Sequence, residues 1–143
     1  LIERIDPDYG AGTALANKWQ TCLAMSVDKP LAGASERRDY DANYACGTVL
    51  GMIAEGAAQA NGGRDFFDFL AALVASNRKD AGGDGIVSAD DWLGQLVAES
   101  GDEELAAQLK AFIYQGTGDP QGDLCAMLAR VDRSAPGCAA VAE

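Results

Sequence analysis

Tyr44 stands three residues ahead of Gly47 in the stretch NYACGTVLGMIAEGA. The apolar periodicity that follows predicts a helix starting near Asn43, with Tyr44 in its first turn. A phenol there would lie among orphan N–H groups and partial positive charge, placed to donate to an oxyanion. The alternative is a tyrosine that packs, its hydroxyl bonded to a nearby carbonyl. A second candidate is KDAGGDGIVSADDW, residues 79–92. Counted from Asp80, Asp84 falls on the fifth position, Gly85 on the sixth, Ser88 on the ninth and Asp91 on the twelfth. This approaches the calcium loop of an EF-hand. Gly82 on the third position offers no side-chain oxygen, and Asp91 is shorter than the usual closing Glu. The expectation is therefore a glycine-rich acidic turn capped by Ser88. Calcium on Asp80, Asp84, Ser88 and Asp91 is the alternative.

Other chemistry is excluded by residue type. The sequence has no histidine, which removes H-E-x-x-H zinc sites, Cys/His zinc sites and His-based acyl-transfer triads from this chain. The cysteines are Cys22, Cys46, Cys125 and Cys138, with no C-x-x-C pair. A redox motif or zinc knuckle is not expected. Three disulfide connectivities are open, and so are four buried thiols. The acids of GDEEL, 101–105, suit a helix first turn, and ERRDYD, 36–41, reads as solvated surface.

The chain has 143 residues and a formal net charge of −11. Its length suits one domain with its own core. The charge opposes binding to nucleic acid or to an anionic membrane. No apolar run is long enough for a membrane span and none has the pattern of a signal peptide. The opening at Leu1, LIERIDPDYG, reads as a piece of a longer protein.

Helices must position these residues. Leu15, Trp19, Cys22 and Leu23 share a face over 12–26. From Asn43, one stripe holds Cys46, Leu50, Ile53 and Ala57. Another holds Gly47, Gly51, Ala54 and Ala58, small enough for a neighbouring backbone to approach. The NGG of 61–63 ends that helix. A third helix points Phe66, Leu70 and Leu73 inward, flanked by Phe67 and Val74. A fourth is capped by Ser88 with Asp91 and carries Trp92, Leu93, Leu96 and Val97 to a stop at Gly101. A fifth carries Leu105, Leu109, Phe112 and Ile113 to Gly116. A last short helix holds Leu124, Met127, Leu128 and Val131, and the tail 134–143 is expected to fray. No strand is expected. The fold class is all-α, an irregular bundle of about five to six helices joined by short loops.

Three stretches together carry a family resemblance. YACGTVLGMIAEGAAQANGGRDFFDFLAAL is similar to a Y-x-x-G helix followed by a turn and a second helix. VSADDWLGQLVAESG resembles T-x-E-D-F-x-x-x-L-x-x-x-S-G. LKAFIYQGTGDP resembles F-F-x-x-Y-V-x-G-T-x-x-x-P. In this order and spacing they resemble the C-terminal helical region of the gluzincin aminopeptidases, the glycyl aminopeptidase family more than the alanyl one. The resemblance runs from about residue 40 to 130 and leaves residues 1–40 unaligned. Cys46 stands where the alanyl branch usually has Lys, which favours the glycyl branch and leaves room for an inactive homologue.

The resemblance implies that Tyr44 stabilises the tetrahedral intermediate of peptide hydrolysis. It implies that the zinc, which activates water and polarises the carbonyl, is held by an upstream catalytic domain of the same polypeptide. This chain would wall one side of the peptide-binding cleft and would itself bind no zinc and hydrolyse no peptide. Such families are often exported. With Cys22 and Cys46 both on inward stripes, the expectation is a Cys22–Cys46 disulfide, and Cys125–Cys138 as a second that pins the tail. The alternative is an exported helical binding module with an EF-hand-like acidic loop and no catalytic activity.

Overall fold

The computed structural model describes residues 11–135, 137 and 138, with side chains from residue 14 onward. They form six α-helices: α1 (Ala11–Ser26), α2 (Tyr40–Ala60), α3 (Phe66–Ser76), α4 (Ala89–Ser100), α5 (Glu103–Tyr114) and α6 (Pro120–Ala129). A single 3-10 turn, Lys79–Ala81, lies between α3 and α4. No strand occurs among the described residues. One isolated parallel bridge pairs Val27 with Thr117, and the protein is all-α.

Local chemistry starts these helices. Ser88 and Asp91 form the expected capping box, each side chain satisfying the other's backbone N–H. Asp65 and Asp68 do the same for α3. Asp102 accepts from Leu105 N at 3.0 Å to cap α5, and Asp119 accepts from Gly122 N at 3.0 Å to cap α6, with Pro120 at its first position. Part of the acidic excess thus has a structural use, since a carboxylate is stabilised at a helix N-terminus. Gly101 ends α4 in the left-handed conformation at φ 67°.

The long helix α2 is the hub, packing against α1, α3, α4 and α6. α4 also packs on α3 and α5, and α6 on α5 and α1. One continuous core runs through all six. Trp19, Ile53, Phe69, Leu96, Leu105 and Leu124 are among its fully buried side chains. Phe69 and Trp92 meet at a ring-centroid distance of 5.6 Å. The inward residues expected on α4, α5 and α6 are at least half-buried, and those of α5 are all buried.

Four expectations need correction. The helix expected near Asn43 begins at Tyr40, so part of ERRDYD is helical. The stretch does lie at the surface as expected, and there the Arg37 guanidinium donates to the carbonyls of Pro30 (2.7 Å) and Ala32 (3.3 Å) and to Asp39 (3.3 Å). On α3, Phe69 and Leu73 are buried, while Phe67 and Val74 are exposed. That segment is apolar almost all round, so periodicity could not choose its face. The small-residue stripe of α2 does not receive a backbone at Gly47, where a Cβ would meet nothing within 4 Å, nor at Gly51, where it would touch only the Phe66 ring. The close approach falls at Gly56, where a Cβ would sit 2.8 Å from both the carbonyl oxygen and a methyl of Val131. Finally, the tail does not fray as far as Cys138, which is buried and bonded to Cys125. Residues 139–143 lie outside the described residues.

Candidate functional site

The inner face of α2 is tied down by a disulfide. Cys22 of α1 and Cys46 of α2 are joined with a Cα–Cα distance of 4.8 Å, both fully buried. Ala45 and Val49 are buried beside Cys46. Residues pointing the other way from this anchored turn must therefore face outward, and these are Tyr44 and Gly47. Tyr44 is 70% exposed. Its hydroxyl makes no hydrogen bond among the described residues, and its carbonyl accepts from Thr48 Oγ1 at 3.0 Å. Gly47, one turn on, leaves open space.

One element of the expected chemistry changes. Tyr44 is the fifth residue of α2, beyond the four whose N–H groups lack an intrahelical partner. The dipole effect fades within the first turn, so the phenol is not held among orphan donors. What distinguishes it is exposure on a rigid helix. Tyr40, at 55% exposure, stands one turn earlier on nearly the same side. The sequence reading missed it because the helix start was placed after it.

The acidic loop is organised by its own contacts. Arg78 binds both oxygens of Asp80, at 3.1 and 2.8 Å. Asp84 Oδ1 accepts from Ile86 N at 2.9 Å. Asp91 Oδ2 accepts from the backbone N–H and the hydroxyl of Ser88, each at 2.9 Å. Of the four positions proposed for calcium, Asp80 and Asp84 thus have separate partners and Ser88 and Asp91 bond each other, and the 3-10 turn at Lys79–Ala81 occupies part of the loop. Among the described residues no group of three His, Cys, Asp or Glu is arranged to hold a metal ion. Zinc does not fit this chain either, since histidine is lacking and the cysteines are paired with one another.

Glu99 is the buried charge among the described residues. Its carboxylate accepts from Arg64, from Asn61 Nδ2 at 2.8 Å and from Gln95 Nε2 at 3.0 Å. Three donors satisfy a group that would otherwise be costly to bury. The network locks the turn after α2 to α4. The sequence held a signal for it, because Glu99 continues the inward spacing of Leu96.

Shallow grooves lie among the described residues, two of them formed between helices. One, of about 260 Å³, runs between α4 and α5 past Leu93, Gly94, Val97 and Lys110. The other, of about 370 Å³, lies between the end of α1 and the start of α6. Tyr44 lines neither.

The chain matches no family model, no curated protein and no solved structure.

Proposed function

We propose that this chain is the C-terminal helical region of a zinc aminopeptidase-like protein, and that Tyr44 is the phenol it contributes to an active-site cleft shared with an upstream catalytic domain. The observation that carries the reading is the Tyr44 side chain: exposed, without a hydrogen-bond partner among the described residues, and presented one turn before the open Gly47. A tyrosine serving the core would be expected to bury its ring and bond its hydroxyl. In this reading the hydroxyl donates a hydrogen bond to the substrate carbonyl oxygen as that atom gains negative charge. The donor matters most in the transition state, so its loss falls on kcat rather than KM. The metal chemistry belongs to the upstream domain, and this chain contributes a wall and a donor. The two disulfides suit an exported protein.

The test uses the full-length parent. Purified protein is assayed on aminoacyl 4-nitroanilides with and without a chelator, and its zinc content is measured. Tyr44→Phe should lower kcat on the order of 10²–10³ with little change in KM, and should leave stability within about 1 kcal/mol, since the lost hydroxyl has no internal partner. Near-normal turnover of that variant would leave Tyr44 as a surface residue. A parent with neither zinc nor hydrolysis would favour the second reading, an exported helical binding module or inactive homologue.

A further inference from the structure

From the turn that closes α2, we infer that Asn61 is a site of spontaneous deamidation, and that its conversion breaks the buried Glu99 network. The chain has asparagines at 17, 43, 61 and 77, and Asn61 alone is followed by glycine. The next residue matters because the reaction needs its backbone nitrogen to reach the asparagine side chain, and a Cβ on that residue crowds the approach. Gly62 is exposed, the space around it is open, and its N–H makes no hydrogen bond among the described residues. The nucleophile is therefore free. The contrast lies in the same molecule at Asp84–Gly85, where the related attack would use Gly85 N. That nitrogen is tied at 2.8 Å to the carbonyl of Asn77.

The chemistry needs only base and water. The Gly62 amide gives up its proton to hydroxide, and its nitrogen attacks Asn61 Cγ. A new C–N bond closes a five-membered imide, the Cγ–Nδ2 bond breaks, and nitrogen leaves as ammonia after taking a proton from water. Water then opens the imide at one of its two carbonyls, leaving aspartate or isoaspartate at position 61. Either product replaces a donor with an anion. Asn61 Nδ2 now donates to Glu99 Oε2 at 2.8 Å, so a second carboxylate would face the first at the edge of the core. Arg64 is the cation at hand, already bound to Glu99, and one guanidinium would then serve two anions. Isoaspartate also lengthens the main chain where the helix ends.

The experiment incubates the native protein in mildly alkaline buffer and maps amide loss by peptide mass spectrometry. Loss at Asn61 should precede loss at Asn17, Asn43 and Asn77 and should accelerate as pH rises. Separately, Asn61→Asp should melt several degrees below the unmodified protein, and adding Glu99→Gln in that background should recover part of the difference. Amide loss at Asn61 no faster than at the other three in the folded protein would overturn the site. An Asn61→Asp protein that melts with the parent would overturn its consequence.

Discussion

Cutting the Cys22–Cys46 bond without removing its sulfurs is the most direct perturbation of the α1–α2 anchor. The residues are 24 apart in sequence. In the chain-entropy account, a loop of that length restricts the unfolded chain by about 3.4 kcal/mol at 25 °C. For Cys125–Cys138, 13 apart, the same relation gives about 2.9 kcal/mol. The two loops do not overlap, so the effects should add, to about 6 kcal/mol. That is a large part of the 5–15 kcal/mol by which domains are stable, roughly speaking. With an unfolding entropy of about 2.1 cal/mol/K per residue over 143 residues, or about 0.30 kcal/mol/K, loss of the first bond alone should lower Tm by about 11 °C. The assay is urea unfolding in a Cys125→Ala, Cys138→Ala background, with and without dithiothreitol. Samples are equilibrated from the unfolded side, because the bond is fully buried in the folded protein. The denaturant slope should rise on reduction, since the freed chain exposes more surface. A stability loss under about 1 kcal/mol would refute the entropic reasoning.

Three further outcomes follow from particular contacts. Gly47→Ala should stabilise by up to about 1 kcal/mol, because the site is open and helical. Gly56→Ala should destabilise by about 1–3 kcal/mol despite the same propensity gain, because its methyl would meet Val131; thermal melts that rank the two the other way would contradict the packing. Asp102 carries a pKa lowered below 3.8, first by the Arg130 hydrogen bond and then by the Leu105 N–H. A carboxylate depressed in this way adds stability above its unfolded pKa and loses it as pH falls through the folded value. Asp102→Asn should therefore be less stable than the parent at about pH 7, and the difference should close as pH falls through the depressed folded value, in melts across acidic pH. Calcium raised through the millimolar range should leave Tm unchanged; a rise with calcium but not with magnesium would restore the EF-hand alternative.

Helix identity was legible in the sequence wherever polar and apolar residues alternate with a helical period. The α5 set of Leu105, Leu109, Phe112 and Ile113 is buried as read, and so are Trp19 and Cys22 on α1. Caps were legible where one side chain reaches one N–H, as at Ser88. The start of α2 was not, because Asp39 caps without its side chain; its carboxylate is held by Arg37 instead. The face of α3 was hidden by its own hydrophobicity. The meeting of Gly56 with Val131 joins residues far apart in sequence, and nothing local marks Gly56 over Gly47 or Gly51. Of the candidate site, Tyr44 was named from a motif, yet its setting was misjudged by one helical turn.

That turn changes what Tyr44 can owe to its helix. Near the N-terminus, the dipole and the orphan N–H groups would have helped to bind an anion. From the second turn they do not, and no internal group bonds the hydroxyl among the described residues. Any anion met by Tyr44 must then be stabilised chiefly by the phenol itself and by groups outside this chain. What the helix does supply is position. α2 is held by the Cys22–Cys46 bond on its inner face and by the Glu99 network at its far end. A donor on such an element is placed more narrowly than one on a loop, and transition-state donation depends on that placement. The proposed role therefore rests on rigidity and exposure together. A variant that loosens α2 while leaving Tyr44 intact should lose turnover in the active parent along with stability, whereas Tyr44→Phe should lose turnover alone.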